Sequence, residues 1–235
     1  MSDTLWPGGP VLSQSAEVFP LGTDAVLLAD FARPGRRDRI LDLGTGCGVL
    51  PVLLSWENPD VAVTAVDSSP AACALARKNF EQNGLARRVT LLEADLRDYR
   101  TRLSCGAFDR TVSNPPYFSG ENGFVAEGSM GYARSDLGCT LLQVCQAAAW
   151  ATRWGGSFCL VYRPERIGEL FSTLEQTGFT PKRLRPVHHG PGMPANLILI
   201  EARRGGRPGL RWESDLYLHT ADGLESPEAR RIYHR

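Results

Sequence analysis

The sequence has no Cys-x-x-Cys pair, no long apolar run and only two lysines, and each absence removes a class of protein. The six cysteines, Cys47, Cys73, Cys105, Cys139, Cys145 and Cys159, are scattered along the chain, which argues against a zinc site or a disulfide scaffold and for small buried thiols. The four histidines, of which His188 and His189 are adjacent, lack metal-ligand spacing, so a neutral loop pair is expected and no metal. No apolar stretch approaches the roughly 18 residues that a membrane helix needs. The opening "MSDTLWPGGP" has no basic stretch followed by an apolar core, so no secretory leader is signalled and a cytoplasmic protein with no membrane partner is expected. Internal repeats and low-complexity tracts are also missing, and a monomer is expected.

What is present is a chain of 235 residues, 43% hydrophobic and 22% charged, ordinary values for one large globular domain with short appendages. The formal charge is zero but unevenly spread. Residues 182–211 carry Lys182, Arg183, Arg185, Arg203, Arg204, Arg207 and Arg211 against Glu201 alone, so this segment stands at +6 and the rest at −6. Such a segment reads either as a face for a polyanion or as a solvated arginine cluster.

Along the chain, "TDAVLLADF" has apolar residues at helical spacing, with Thr23 or Asp24 to cap its first turn. "RILDLG" reads as a buried strand ended by glycine, and "GVLPVLLSWE" as a helix that tolerates Pro51 in its first turn. Strand "VAVTAV", a helix over 70–83, strands "VTLLEA" and "FDRTVS", a helix over about 137–154, strand "GSFCLVY" and helix "PERIGELFSTLEQTG" follow. This alternation predicts an α/β fold, a doubly wound and mostly parallel sheet. The last two strands, near 181–187 and 195–201, are joined by "HHGPGMP", too short for a parallel crossover, so an antiparallel hairpin at one edge is expected. Residues 212–235 offer a possible strand and a short helix at "SPEARRIYH" with Ser226 as cap.

Three signals fall at strand ends, where open α/β sheets bind ligands. Gly44, Gly46 and Gly48 in "ILDLGTGCGV" follow the first central strand; glycines let a nucleotide approach the backbone, and the G-x-G-x-G spacing departs from the nicotinamide fingerprint. Asp67, 23 residues beyond Gly44, ends the next strand and can accept both ribose hydroxyls of an adenosine. Asp95 in "LLEADL" ends the one after, able to face an adenine amino group. For Asp42 and Asp95 a helix cap or turn is the competing reading. Together these residues resemble the Rossmann-like, seven-stranded S-adenosylmethionine-dependent methyltransferases (class I). The resemblance implies that Asp42 to Gly48 cradle the methionine end, that Asp67 and neighbouring Ser68 hold the ribose, that Asp95 and Leu96 hold the adenine, and that Asn114 borders the cofactor.

"SNPPYFSG" then sits at the end of the fourth strand. An exocyclic amino group has its lone pair delocalised into the π-system. If the Asn114 side-chain oxygen and the Pro115 carbonyl each accept one of its hydrogens, the lone pair is drawn toward a methyl donor. Consecutive prolines preorganise those acceptors. Tyr117 offers a face on which a splayed base stacks. The tetrapeptide resembles the [N/D]-P-P-[Y/F/W] signature of methyltransferases acting on amino groups of bases or on glutamine amides. That resemblance makes Asn114, Pro115 and Tyr117 catalytic, with Pro116 and Phe118 beside the substrate.

From "GTDAVLLADF" through "SNPPYF" and "ARSD" to "PANLILIEARRGGRPGL" and "ARRIY", nearly the whole chain is similar to the family that methylates adenine N6 in the anticodon loop of a valine transfer RNA. This implies a transfer RNA partner, with Arg134, Arg203 and Arg204 as substrate contacts. It also divides the chain into a covering segment (1–38), a methyltransferase domain (39–211) and a tail packed on it (212–235). Two alternatives stand beside it. A glutamine methyltransferase of release factors shares the tetrapeptide, but about 38 residues before the first strand are too few for that family's helical domain. A non-catalytic RNA-binding adaptor would not need both the glycine loop and the Asn-Pro-Pro-Tyr turn.

Overall fold

The computed structural model describes residues 2–15, 18, 22–115 and 139–234. Eleven strands occur among them: β1 (Ser2–Thr4), β2 (Val11–Ser13), β3 (Arg39–Leu43), β4 (Ala62–Asp67), β5 (Val89–Glu93), β6 (Phe108–Ser113), β7 (Thr152–Tyr162), β8 (Phe179–His188), β9 (Ala195–Arg204), β10 (Arg211–Trp212) and β11 (Leu216–Tyr217). The helices are α1 (Thr23–Ala32), α2 (Val49–Glu57), α3 (Pro70–Gln82), α4 (Tyr99–Arg102), α5 (Leu141–Ala151), α6 (Ile167–Gln176) and α7 (Pro227–Ile232).

The main sheet runs β10-β8-β9-β7-β6-β3-β4-β5, with β11 also on β8. From β7 to β5 every pairing is parallel, while β9 is antiparallel to both β7 and β8. The central strands read as unbroken apolar runs because both faces are covered. Alternation along them feeds two cores. Ile40, Val63, Cys159 and Leu199 join a cluster with α1, α2 and α3 on one face. Leu41, Val66, Leu160 and Ile200 join a cluster with α5 and α6 on the other. The class I α/β architecture expected from the sequence is therefore present, as seven long strands plus two of two residues each.

Four local expectations need correction. The α1 N-cap is Gly22, which makes no side-chain cap bond; Thr23 and Asp24 lie inside the first turn, where an acidic side chain favours the helix dipole. The helix expected over 137–154 is confined to Leu141–Ala151. Thr140 and Gln143 form a capping box that fixes its start, and pairing of Thr152 with Phe108 hands the chain to β7. The β8–β9 hairpin is not the outermost edge, since β10 and β11 add to β8 in parallel. Burial of the thiols holds for Cys47, Cys73, Cys145 and Cys159, but Cys105 is exposed and Cys139 half-buried.

The start of the chain is also regular structure. Strands β1 and β2 form an antiparallel ribbon closed by the Trp6-Pro7-Gly8-Gly9 turn, with the Gly9 N–H donating to the Trp6 carbonyl at 2.8 Å. At the other terminus, Ser226 caps α7 by accepting from the Ala229 N–H, and Arg231 reaches Asp30 of α1 at 2.8 Å.

Candidate active site

Register across β6, β3, β4 and β5 lines up the strand ends. Asp42 pairs with Val112, Leu43 with Val66, and Asp67 with Glu93. Continuing the first two pairings brings Asn114 and Asp67 to either side of Gly44. The Ser113 hydroxyl fastens this edge by donating to the Leu43 carbonyl at 2.8 Å. Because Leu43 precedes Gly44 and Ser113 precedes Asn114, one buried hydroxyl joins the glycine loop to the Asn-Pro-Pro-Tyr turn.

The glycine loop is pinned from several sides. Gly44 and Thr45 both donate to the Val66 carbonyl at 2.9 Å, Gly46 donates to Asp67 Oδ2 at 2.8 Å, and Gly48 donates to the Thr45 carbonyl at 2.9 Å. All three glycines have positive φ, which side chains resist. A Cβ at Gly44 or Gly46 would meet nothing within 4 Å, so the backbone there borders open space. At Gly48 it would strike the Phe80 ring at 2.6 Å, so this third glycine serves helix packing instead.

Asp42 is 0% exposed, and neither of its carboxyl oxygens has a hydrogen-bond partner among the described residues. Burial pushes the carboxyl up to about 7; the nearby Thr45 hydroxyl opposes the rise without reaching good hydrogen-bond geometry, and Asp67 adds to it. An unsatisfied buried carboxyl is costly, and an ammonium group is the complement it lacks. Open backbone above two glycines together with this orphaned acid fits the methionine end of S-adenosylmethionine.

Asp67 accepts from Gly46 and, through Oδ1, from the Ser69 N–H at 2.9 Å. A carboxylate can accept about four hydrogen bonds, which leaves capacity for ribose hydroxyls. Ser68 beside it is exposed. Asp95 behaves as the turn cap that the sequence left open. It caps the short turn at Leu96–Asp98 by accepting from the Arg97 N–H at 2.8 Å. The Arg97 guanidinium grips the same carboxyl and holds it below the usual carboxylate range. Leu96 is buried beneath that turn.

Asn114 is half-buried and Pro115 buried, at the mouth of the loop. Pro116, Tyr117, Phe118 and Arg134 lie outside the described residues. Arg203 and Arg204 do not join the site. Arg203 pairs with Ser157, which pairs with Arg110, four residues before Asn114. That is about 13 Å down the strands and two strands across. Much of the basic segment is also internally paired, Arg183 with Glu201 at 2.9 Å and Arg185 with Glu228 at 2.8 Å. Among the described residues, no group of three His, Cys, Asp or Glu could hold a metal ion, and no helix is long and apolar enough to cross a membrane.

Two residues of this site escaped the sequence reading, Ser113 and Asn79. Each stands among other polar residues, Asn79 in "ARKNFEQ" and Ser113 in "DRTVSN", so nothing in the pattern singles it out; Asn79 reaches the loop by donating to the Cys47 carbonyl at 2.8 Å.

A family model for the methyltransferase small domain matches residues 15–139, just over half of the chain. The tRNA1(Val) (adenine(37)-N6)-methyltransferase of Vibrio parahaemolyticus is 30% identical over 214 residues, covering 90% of this chain and 86% of that protein. The protein of the same name from a Flavobacteriaceae bacterium (strain 3519-10) is 37% identical over 107 residues, so the chain spans less than half, 45%, of that relative and 46% of itself. Among solved structures, a predicted O-methyltransferase from Agrobacterium tumefaciens superposes with a TM-score of 0.75 at 22% identity, covering 90% of this chain and 95% of that one. At that identity the likeness shows the fold alone.

Proposed function

The chain belongs to the methyltransferase small-domain family, and from that premise we propose that it methylates the exocyclic N6 amino group of an adenine in a transfer RNA, using S-adenosylmethionine. The observation that carries the reading is the junction of Asn114 with the glycine loop across β6 and β3, clamped by Ser113. The names of the relatives favour a nucleic-acid acceptor over a protein glutamine. No observation favours an idle adaptor.

Bound over the loop, S-adenosylmethionine supplies an electrophilic methyl group on a sulfonium. Asp42 would hold its ammonium and Asp67 its ribose hydroxyls. The Asn114 carboxamide oxygen and the Pro115 carbonyl accept the two amino hydrogens of the adenine, turning the nitrogen lone pair toward the methyl carbon. As the N–C bond formed and the sulfonium S–CH3 bond broke to leave S-adenosylhomocysteine, the same acceptors would stabilise the positive charge on the nitrogen, which would then lose one proton to solvent. Tyr117 stacks on the displaced base, with Pro116 and Phe118 beside it, and Arg134 contacts the RNA. Rigid acceptors need no reorganisation in the transition state.

Single-turnover methylation of transfer RNA tests this. Asn114→Ala should slow the chemical step by roughly 10²- to 10³-fold, the usual cost of one preorganised polar group, while affinity for S-adenosylhomocysteine changes little. A near-normal rate in that variant would remove the Asn-Pro-Pro-Tyr turn from catalysis.

A further inference from the structure

The β1–β2 ribbon is held to the body of the protein by asparagine side chains that imitate a neighbouring strand. Asn83, at the end of α3, accepts from the Val11 N–H at 2.9 Å and donates to the Val11 carbonyl at 2.7 Å. One turn earlier, Asn79 accepts from the Ser13 N–H at 2.7 Å and donates to the Ser13 carbonyl at 3.2 Å. A carboxamide carries a donor and an acceptor in the same geometry as a peptide group, so the pair substitutes for two residues of ladder. A two-stranded ribbon of this length is marginal alone, and these bonds are part of what docks it.

Asn79 has a further bond that Asn83 lacks. Its Nδ2 also donates to the Cys47 carbonyl at 2.8 Å, inside the glycine loop. The peptide between Cys47 and Gly48 is thereby fixed at both ends, its carbonyl by Asn79 and its N–H by the Thr45 carbonyl. That peptide plane sets the φ of +82° with which Gly48 turns the loop into α2. Asn79 is 0% exposed, and its amide nitrogen and oxygen are all engaged by Ser13 and Cys47.

We propose that Asn79 is a positioning residue for the cofactor: it sets the glycine loop only while the N-terminal ribbon is docked, so ribbon docking and S-adenosylmethionine binding favour each other. If Ser13 leaves, Asn79 Oδ1 loses that partner and faces the space the ribbon vacates, and the amide is free to rotate away from the Cys47 carbonyl. By reciprocity, a ligand that needs the loop in its present shape must tighten the ribbon by the same factor. The inference rests on the cofactor assignment made above.

Hydrogen exchange on the wild-type chain tests it without relying on any variant to fold. The Ser13 and Val11 amides should exchange at least ~5-fold more slowly when S-adenosylhomocysteine saturates the protein, the lower end of common coupling factors. Binding of S-adenosylhomocysteine with no change at these amides overturns the coupling but leaves the methyltransferase reading intact, whereas no binding at all overturns both. Two substitutions add a directional check. Asn83→Ala, which frees Val11 and also removes the 2.7 Å bond from Asn83 Nδ2 to the Asn79 main-chain carbonyl but no bond to the loop itself, should raise the Kd for S-adenosylhomocysteine by at least ~3-fold, with turnover at saturating cofactor kept. Asn79→Asp retains the acceptor for Ser13 but turns an oxygen toward the Cys47 carbonyl, and should raise it further. Unchanged cofactor affinity in a folded Asn83→Ala protein would contradict the proposal.

Discussion

Asp42 shows how one residue sets stability against function. Burial places its folded-state value at about 7, whereas a carboxyl in an unfolded chain titrates near about 4. The folded chain therefore binds an extra proton between those values. The associated stability is fully present below about pH 4 and is lost as the pH rises through about 7. Asp42→Asn, which cannot ionise, should melt higher than the wild type at about pH 8 without cofactor, and the gap should narrow as the pH falls through about 7 and close near about pH 4. The same variant should bind S-adenosylmethionine at least ~10-fold more weakly at about pH 8, because the ammonium loses its counter-charge. Paired thermal melts and cofactor titrations check both halves; a lower melting point together with unchanged affinity would refute the assignment. Asp42 was legible as part of the loop because it lies two residues before the first of the glycines. Its orphaned oxygens were not, since burial emerges only once the helices cover the strand.

At the scale of elements, the strand ends were legible because strands covered on both faces leave long apolar runs and the glycines punctuate them. The Ser113 clamp was not, since a serine closing a strand looks like any turn residue. Ser113→Ala should cost about 1–3 kcal/mol in denaturant unfolding, as expected when a buried hydroxyl bond is lost. It should also lower single-turnover methylation more than cofactor affinity, because Asn114 is the neighbour it steadies. Loss of stability with an unchanged rate would leave Ser113 as packing alone. Helix ends were less legible. The Thr140–Gln143 capping box was not read from the sequence, and the early start of β7 depends on its partner Phe108 and could only follow from the sheet.

Across the whole molecule, charge asymmetry read from a window of sequence misleads where its counter-charges lie just outside that window. Glu213 and Glu228 follow the basic segment and meet Arg183 and Arg185, tying the tail to β8. Arg203 remains exposed at the far end of the strands from Asn114, with Arg204 half-buried beside it. The role proposed for them would have to be contact with RNA phosphates beyond the site, not with the reacting base. Binding of transfer RNA should weaken with salt, and Arg203→Glu with Arg204→Glu should weaken it further while leaving the rate at saturating RNA intact. Affinity insensitive to both would make these arginines solvated surface.

The central claim is the acceptor, and the most direct measurement is incubation of the protein with labelled S-adenosylmethionine and total transfer RNA, followed by nucleoside analysis. The account predicts label in N6-methyladenosine and its loss with Asn114→Ala. Label recovered in another nucleoside, or in a protein glutamine with none in RNA, would contradict it.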